Sequence, residues 1–351
     1  MRVTRRQLLR RSLAMTVGLG AAGIGVGRAL GEQAALAAND MRFFRIGTGS
    51  TGGTYYPVGG LLAAAISNPP GSHPCEQGGA CGVPGLIAVA QTTEGSVDNV
   101  LRMQKGALES ALCQSDVAYW ASVGLGGFSE HGAIEGLSVI SSLFPELLHL
   151  VVRRGAGIRH VRDLVGKRVS LDKEGSGTRV DALLVLEAYG IAQDSMEIHP
   201  LVSGQAAKAI RDEALDAFFM VAGAPVSVIE ELANQQLIEL LPIHGEEAVA
   251  LSAAYSFLAP DLVLAGTYTN LPATNTLSVG ALWLVSLAVD AELVYAITKT
   301  LWSEPTRRLL DAGHPRASQI RLETALKGVA QPPLHPGAER FYREAGLLSR
   351  Q

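Results

Sequence analysis

The chain has 351 residues, a formal net charge of −4, 39 glycines and only 5% aromatic residues. The first 37 residues hold six arginines and one acidic residue, Glu32, so beyond them the 29 basic and 33 acidic side chains become 23 and 32, a net charge of −9. That balance disfavours a nucleic-acid partner, and a composition rich in Ala, Val, Leu and Gly favours a packed α/β protein over an all-β one.

The N-terminus reads Thr4-Arg5-Arg6-Gln7-Leu8-Leu9-Arg10, then a Gly/Ala-rich apolar stretch from Leu13 to Gly27, then Ala35-Leu36-Ala37. Twin arginines, a modest apolar segment and small residues at an A-x-A site together predict a twin-arginine export signal over residues 1–37 and a periplasmic protein starting near Ala38. The apolar stretch is shorter than the ~20 residues of a membrane-spanning helix, so a soluble product is expected. In an oxidising compartment, Cys75 and Cys81, set in a Gly/Pro-rich loop, read as a loop-stapling disulfide, and Cys113, in an apolar run, as a buried thiol. Only His73 lies near the cysteine pair, so no metal site is expected.

Along the chain, short apolar runs alternate with amphipathic stretches, the α/β signature. Strands are predicted over Phe43–Ile46, Leu86–Gln91, Leu108–Gln114 and Leu137–Arg153, with helices over Gly59–Ser67 and Ser96–Lys105. After Gly155-Ala156-Gly157 the apolar pieces Val161–Leu164 and Arg168–Leu171 lead to a second glycine loop, Glu174-Gly175-Ser176-Gly177-Thr178, and a helix over Arg179–Tyr189. Ile198–Leu201, a helix over Gly204–Glu213, a strand over Ala217–Val221 and an edge strand over Leu237–Ile243 complete a second α/β unit. The apolar run Leu277–Leu287 reads as the chain returning to its first lobe, followed by helices over Ala291–Trp302, Pro305–Ala312 and Phe341–Ala345. With no flexible linker in sight, the expectation is two lobes joined by strands: residues 38–150 and 265–351 as one, 151–264 as the other.

Gly47-Thr48-Gly49-Ser50-Thr51-Gly52 follows a strand and precedes a helix, which matches the G-x-G-x-x-G dinucleotide fingerprint in form. That fingerprint needs an acidic residue about 20 positions further on to hold a ribose, and no Asp or Glu lies between Asp40 and Glu76. The simpler reading is a turn whose backbone N–H groups, with the hydroxyls of Ser50, Thr51 and Thr54, converge at a helix N-terminus and can hold a carboxylate. Ser176-Gly177-Thr178 repeats that logic on the other lobe, so two loops could close on one small anion. Gln114 and Ser115 end a strand where they could face the same cleft, with Asp116 as a helix cap or near-cap, and one of Tyr55 and Tyr56 is expected to form a cleft wall while the other joins the core. The histidines show no H-E-x-x-H pairing and no serine sits in G-x-S-x-G, so a non-enzymatic protein is expected. The rival classes are an exported cofactor-bearing oxidoreductase and the ligand-sensing subunit of a signalling system.

The segments Ile46–Gly60, Gly95–Asn99, Gln114–Tyr119, Gly166–Ser170 with Gly175–Thr178, and Asp216–Pro225 resemble, in order, those of the solute-binding receptors of TAXI-type TRAP transporters. The resemblance implies a type II periplasmic-binding-protein fold, two α/β lobes joined by crossing hinge strands, and delivery of the ligand to TRAP membrane permease subunits. It implies binding of glutamate, glutamine or a related dicarboxylate through hydroxyls, backbone amides and tyrosine; a monomer without a cofactor is expected. The ligand-binding positions it carries over are Gly49, Ser50, Thr54, Tyr55, Ser96, Asn99, Gln114, Ser115, Ser176, Gly177, Thr178, Gly223 and Ala224. The Cys75–Cys81 loop has no counterpart in that pattern.

Overall fold

The computed structural model describes residues 41–349, and the export signal expected over residues 1–37 lies outside them. The chain opens with β1 (Arg42–Gly47), whose two-residue alternation sends Phe44 and Ile46 into the core and leaves Phe43 65% exposed. The following helix, α1 (Tyr55–Ile66), starts four residues before the expected Gly59. Pro57 is the reason that start is allowed: at the third helical position its missing N–H has no intrahelical partner to lose. A disulfide joins Cys75 to Cys81, with a Cα–Cα distance of 4.7 Å, and Cys113 is a buried free thiol.

The first lobe continues with β2 (Leu86–Gln91), α2 (Ser96–Gln104), β3 (Ser110–Gln114) and α3 (Ser115–Val123), and then enters the long strand β4 (Leu137–Arg153). Val161–Leu164, read in sequence as an apolar piece of the second unit, is a 3-10 turn. The backbone N–H groups of Arg159 and His160 both donate to Asp163 Oδ2 there, at 2.8 and 2.9 Å, so a local side-chain turn displaces extended structure. The second lobe then comprises β5 (Arg168–Ser170), α4 (Gly177–Ala188), β6 (Glu197–Ile198), α5 (Ser203–Arg211), β7 (Ala217–Ala222), α6 (Ser227–Asn234), β8 (Ile238–Leu241), α7 (Glu246–Ala254) and β9 (Ala259–Val263). The chain returns through β10 (Thr274–Ser286) to α8 (Ala291–Leu301), α9 (Glu304–Gly313) and α10 (Pro336–Glu344).

The strands form one sheet in the order β2-β1-β3-β10-β4-β7-β5-β6, with β8 beside β4 and β9 beside β10. β1 pairs parallel with β2 and β3, whereas β10 runs antiparallel to both β3 and β4. The two long strands change partners part-way along their length. β4 pairs with β10 up to Leu147 and with β7 from Leu147 to Val152, while β10 pairs with β9 up to Ser278 and with β3 from Ala281 onward. A register shift between Gly280 and Leu282 marks the crossover. The observed class is therefore the expected one, two α/β lobes joined by crossing strands.

Alternation along the strands sorts the cores. Leu112 of β3 packs with Phe44, Leu62, Trp283 and Tyr342, while its neighbours Ala111 and Cys113 face Val100, Val117 and Leu284 on the opposite side. Likewise Leu148, Leu150 and Val152 of β4 pack with Val169 and Leu186, and Leu147 and Val151 with Ile210, Phe218 and Ile229. Each lobe is thus a sheet with helices on both faces, which leaves the strand ends free to build a site. Among the described residues no helix is long and apolar enough to cross a membrane.

Candidate functional site

Four strand-to-helix turns meet where the lobes touch. α1, α2, α4 and α5 each bring an N-terminal turn to one small cleft of about 60 Å³, through Gly49 to Tyr55, Gly95 to Ser96, Ser176 to Thr178, and Ser203. First-turn amides lack intrahelical partners, and the positive ends of the helix dipoles point the same way, so the cleft wall is suited to an anionic group. Gly95, at φ +124°, occupies a backbone conformation that favours glycine, and a Cβ there would stand 3.2 Å from the Ser176 Cα of the other lobe. Gly177 is more constrained still: a Cβ would meet Gln114 Oε1 at 1.6 Å.

The lobes are held together around the cleft by direct contacts. Thr54 Oγ1 donates to the Gly223 carbonyl at 2.9 Å, the Asp98 N–H donates to the Gly175 carbonyl at 3.0 Å, and Lys173 Nζ pairs with Glu94 at 3.1 Å. Ser50 and Ser203 hydroxyls stand 3.3 Å apart, and the Gln114 amide donates to Asp181 of α4. The structure is a closed arrangement.

Of the residues singled out in sequence, Gly49, Ser50, Thr54, Tyr55, Ser96, Gln114, Ser176, Gly177 and Thr178 surround the cleft together. Tyr55 is the buried member of the tyrosine pair and donates to Glu146 Oε2 at 2.5 Å, while Tyr56 is 40% exposed and does not join the core. The Thr178 hydroxyl accepts the Val221 N–H at 3.0 Å, which ties α4 to the end of β7 and leaves its proton available. Ser176 caps α4 by accepting from the Arg179 N–H at 3.1 Å. Asp116 stands in the first turn of α3 without capping it, and its side chain is fully buried.

Four expected positions lie elsewhere. Asn99 is a brace, its Nδ2 donating to the Thr48 and Leu112 carbonyls at 2.7 and 2.8 Å and so fixing the first glycine loop from behind. Ser115 turns away into a separate cavity of about 530 Å³ behind the crossing strands, beside Tyr119, Phe257 and Gly280. Gly223 and Ala224 use their carbonyls to hold the lobes together, accepting from Thr54 and Arg316. The cleft is also lined by residues that sequence reasoning missed, notably Glu94, Glu146, Asp172 and Ser203.

Residues 46–346 match the model of a protein family described as NMT1-like. The chain belongs to the NMT1-like family. Among solved structures, this NMT1-like chain is similar to MatC (Rpa3494) from Rhodopseudomonas palustris with bound malate, at 11% identity and a TM-score of 0.51 over 87% of this chain and 97% of that one. It also matches the periplasmic aliphatic sulphonate binding protein SsuA from Escherichia coli, at 13% identity and a TM-score of 0.41 over 88% and 94% of the two chains. A third match is PhnD1 from Prochlorococcus marinus in complex with methylphosphonate, at 11% identity and a TM-score of 0.49 over 87% and 99%. At these identities the likeness is one of fold.

The cleft of this NMT1-like protein has buried carboxyls at its floor. Burial pushes Glu146 up to about 8, and burial also raises the Asp116 and Asp181 carboxyls behind it. Asp172, at the rim, is raised to about 6 for the same reason. Among the described residues no lysine, arginine or histidine lines the cleft.

Proposed function

We propose that the protein is the extracytoplasmic solute-binding receptor of a TRAP-type transporter of the TAXI kind, exported by the twin-arginine route and working in the periplasm. Residues 38–150 and 265–351 form one lobe and 151–264 the other, and a small carboxylate or amino acid is captured between them and passed to a membrane permease. The observation that carries this reading is that two glycine loops, one from each lobe, border one cleft with their helix N-termini converging on it. Contacts such as Thr54 to Gly223 and Asp98 to Gly175 span the lobes, so hinge closure would couple capture to a shape that a permease could recognise. The family match and the MatC-like fold support the same reading. The oxidoreductase alternative is disfavoured by the first loop's missing acidic partner and by a cleft far smaller than a dinucleotide needs.

A thermal-shift screen of amino acids, small carboxylic acids and nucleotides tests the reading. A ligand present at 100 times its dissociation constant adds about 2.7 kcal/mol and raises the melting temperature by several degrees. A shift with a small acid or amino acid is expected. A shift with nucleotides alone contradicts the receptor reading.

A further inference from the structure

The walls of the cleft suit a carboxylate, but its floor is of the opposite kind. Glu146 lies in mid-strand at the crossover, 2% exposed, with one oxygen taken by the Tyr55 hydroxyl. Behind Gln114, Asp116 of one lobe faces Asp181 of the other, both fully buried and close enough for the two carboxyls to share a proton. The groups that face this cluster are the Tyr55 hydroxyl, the buried Cys113 thiol, the Gln114 amide and, at a distance, Arg316. Arg316 is committed elsewhere, to the Ala224 carbonyl and to Gln319 Oε1. Lys173, at the rim, is already paired with Glu94.

Three buried carboxyls with no adjacent free cation are costly as anions, so without a ligand the cluster must hold protons. Something cationic in the cleft would replace them. Among the described residues no group of three carboxylate, imidazole or thiol side chains could hold a metal ion, so an organic ammonium fits better.

We infer that the ligand presents an ammonium group to Glu146, with Asp116 and Asp181 reinforcing the field, so that the receptor selects amino compounds bearing at most one carboxylate and rejects dicarboxylates. This rests on the receptor reading above and narrows it. The carboxylate end sits at the helix N-termini, the ammonium end at the floor. As the ammonium docks, Glu146 loses its proton to solvent, so binding near pH 7 releases protons. A dicarboxylate would do the reverse, since a second anion at the floor requires Glu146 to stay protonated or to take up a proton.

The test uses the whole protein and matched probes: the monocarboxylate amino acids against the same acids without the amino group, such as alanine against propionate and valine against isovalerate. Calorimetry at pH 7 in buffers of different ionisation heat gives the proton balance. The expected result is that at least one monocarboxylate amino acid binds with net proton release and at least tenfold more tightly than its deaminated counterpart. Glu146→Gln is expected to lose at least tenfold in that affinity while unfolding at the same or a higher temperature, because it removes a buried ionisable group and keeps an acceptor for Tyr55. Equal or tighter binding of the deaminated acids, proton uptake, or an unchanged affinity in Glu146→Gln overturns the inference and leaves the receptor reading standing. If no amino acid or carboxylic acid binds at all, both fail.

Discussion

At the scale of single residues, the proposed receptor site would divide into groups that touch a ligand and groups that hold those groups still. Thr178 belongs to the first kind. Its hydroxyl already accepts a backbone N–H from Val221, so its proton can be given to a ligand carboxylate. Thr178→Ala is expected to weaken ligand binding by roughly 1–3 kcal/mol, and Thr178→Ser to recover most of it; unchanged affinity in the alanine variant removes Thr178 from the site. Asn99 belongs to the second kind. Asn99→Ala strips the Thr48 and Leu112 carbonyls of a buried donor, so a stability loss of about 1–3 kcal/mol is expected in denaturant titration, larger than any change that remains in the affinity of the folded protein.

At the scale of elements, the strand, glycine loop and helix unit is what a local sequence pattern can specify. β4 was legible to the residue because fourteen of its seventeen residues are apolar or small, with β-branched and aromatic side chains among them. The sequence places Ser50 and Ser176 in glycine loops that run into helices for the same local reason. What it could not place was the pairing across lobes. Gly223 and Ala224 look like a binding loop in sequence, yet their carbonyls are spent on Thr54 and Arg316, a contact between residues far apart in the chain. Glu146 did leave a signal, a lone acid inside an apolar strand, and Asp181 a fainter one, an acid between Val180 and Ala182 in α4. Their meaning depends on the crossover that brings them together, which no local pattern encodes.

Gly177 shows how an element's start is tuned for closure. In a helix interior, alanine in place of glycine would favour the helix by up to about 1 kcal/mol, yet here its Cβ would collide with the Gln114 side chain. Gly177→Ala is therefore expected to leave the ligand-free melting temperature within a few degrees of the parent while weakening binding at least tenfold. Intact affinity would show that the lobes need not approach as closely as they do in this structure.

At the scale of the whole molecule, the buried acids leave a mark on stability. Burial holds Glu146 up to about 8 and raises Asp116 and Asp181, whereas unfolded carboxyls titrate near 4, so the folded state keeps protons that the unfolded state gives up. Ligand-free stability is accordingly expected to fall as pH rises from about 4 to 8, and Glu146→Gln to flatten that slope. Asp216 acts in the opposite sense: hydrogen bonds from Arg168, then Arg153, hold its carboxyl low, so its contribution is present above about pH 4 and is lost as pH falls further. Melting curves across pH for parent and variant check both limbs.

A receptor of this kind holds a small solute between two lobes that close on it. Small-angle scattering of the protein, first without ligand and then saturated with the compound that gives the largest thermal shift, tests that closure directly. The radius of gyration is expected to decrease on saturation, and the bound profile to match this closed structure. A scattering profile that stays open and unchanged while the ligand is demonstrably bound would contradict it.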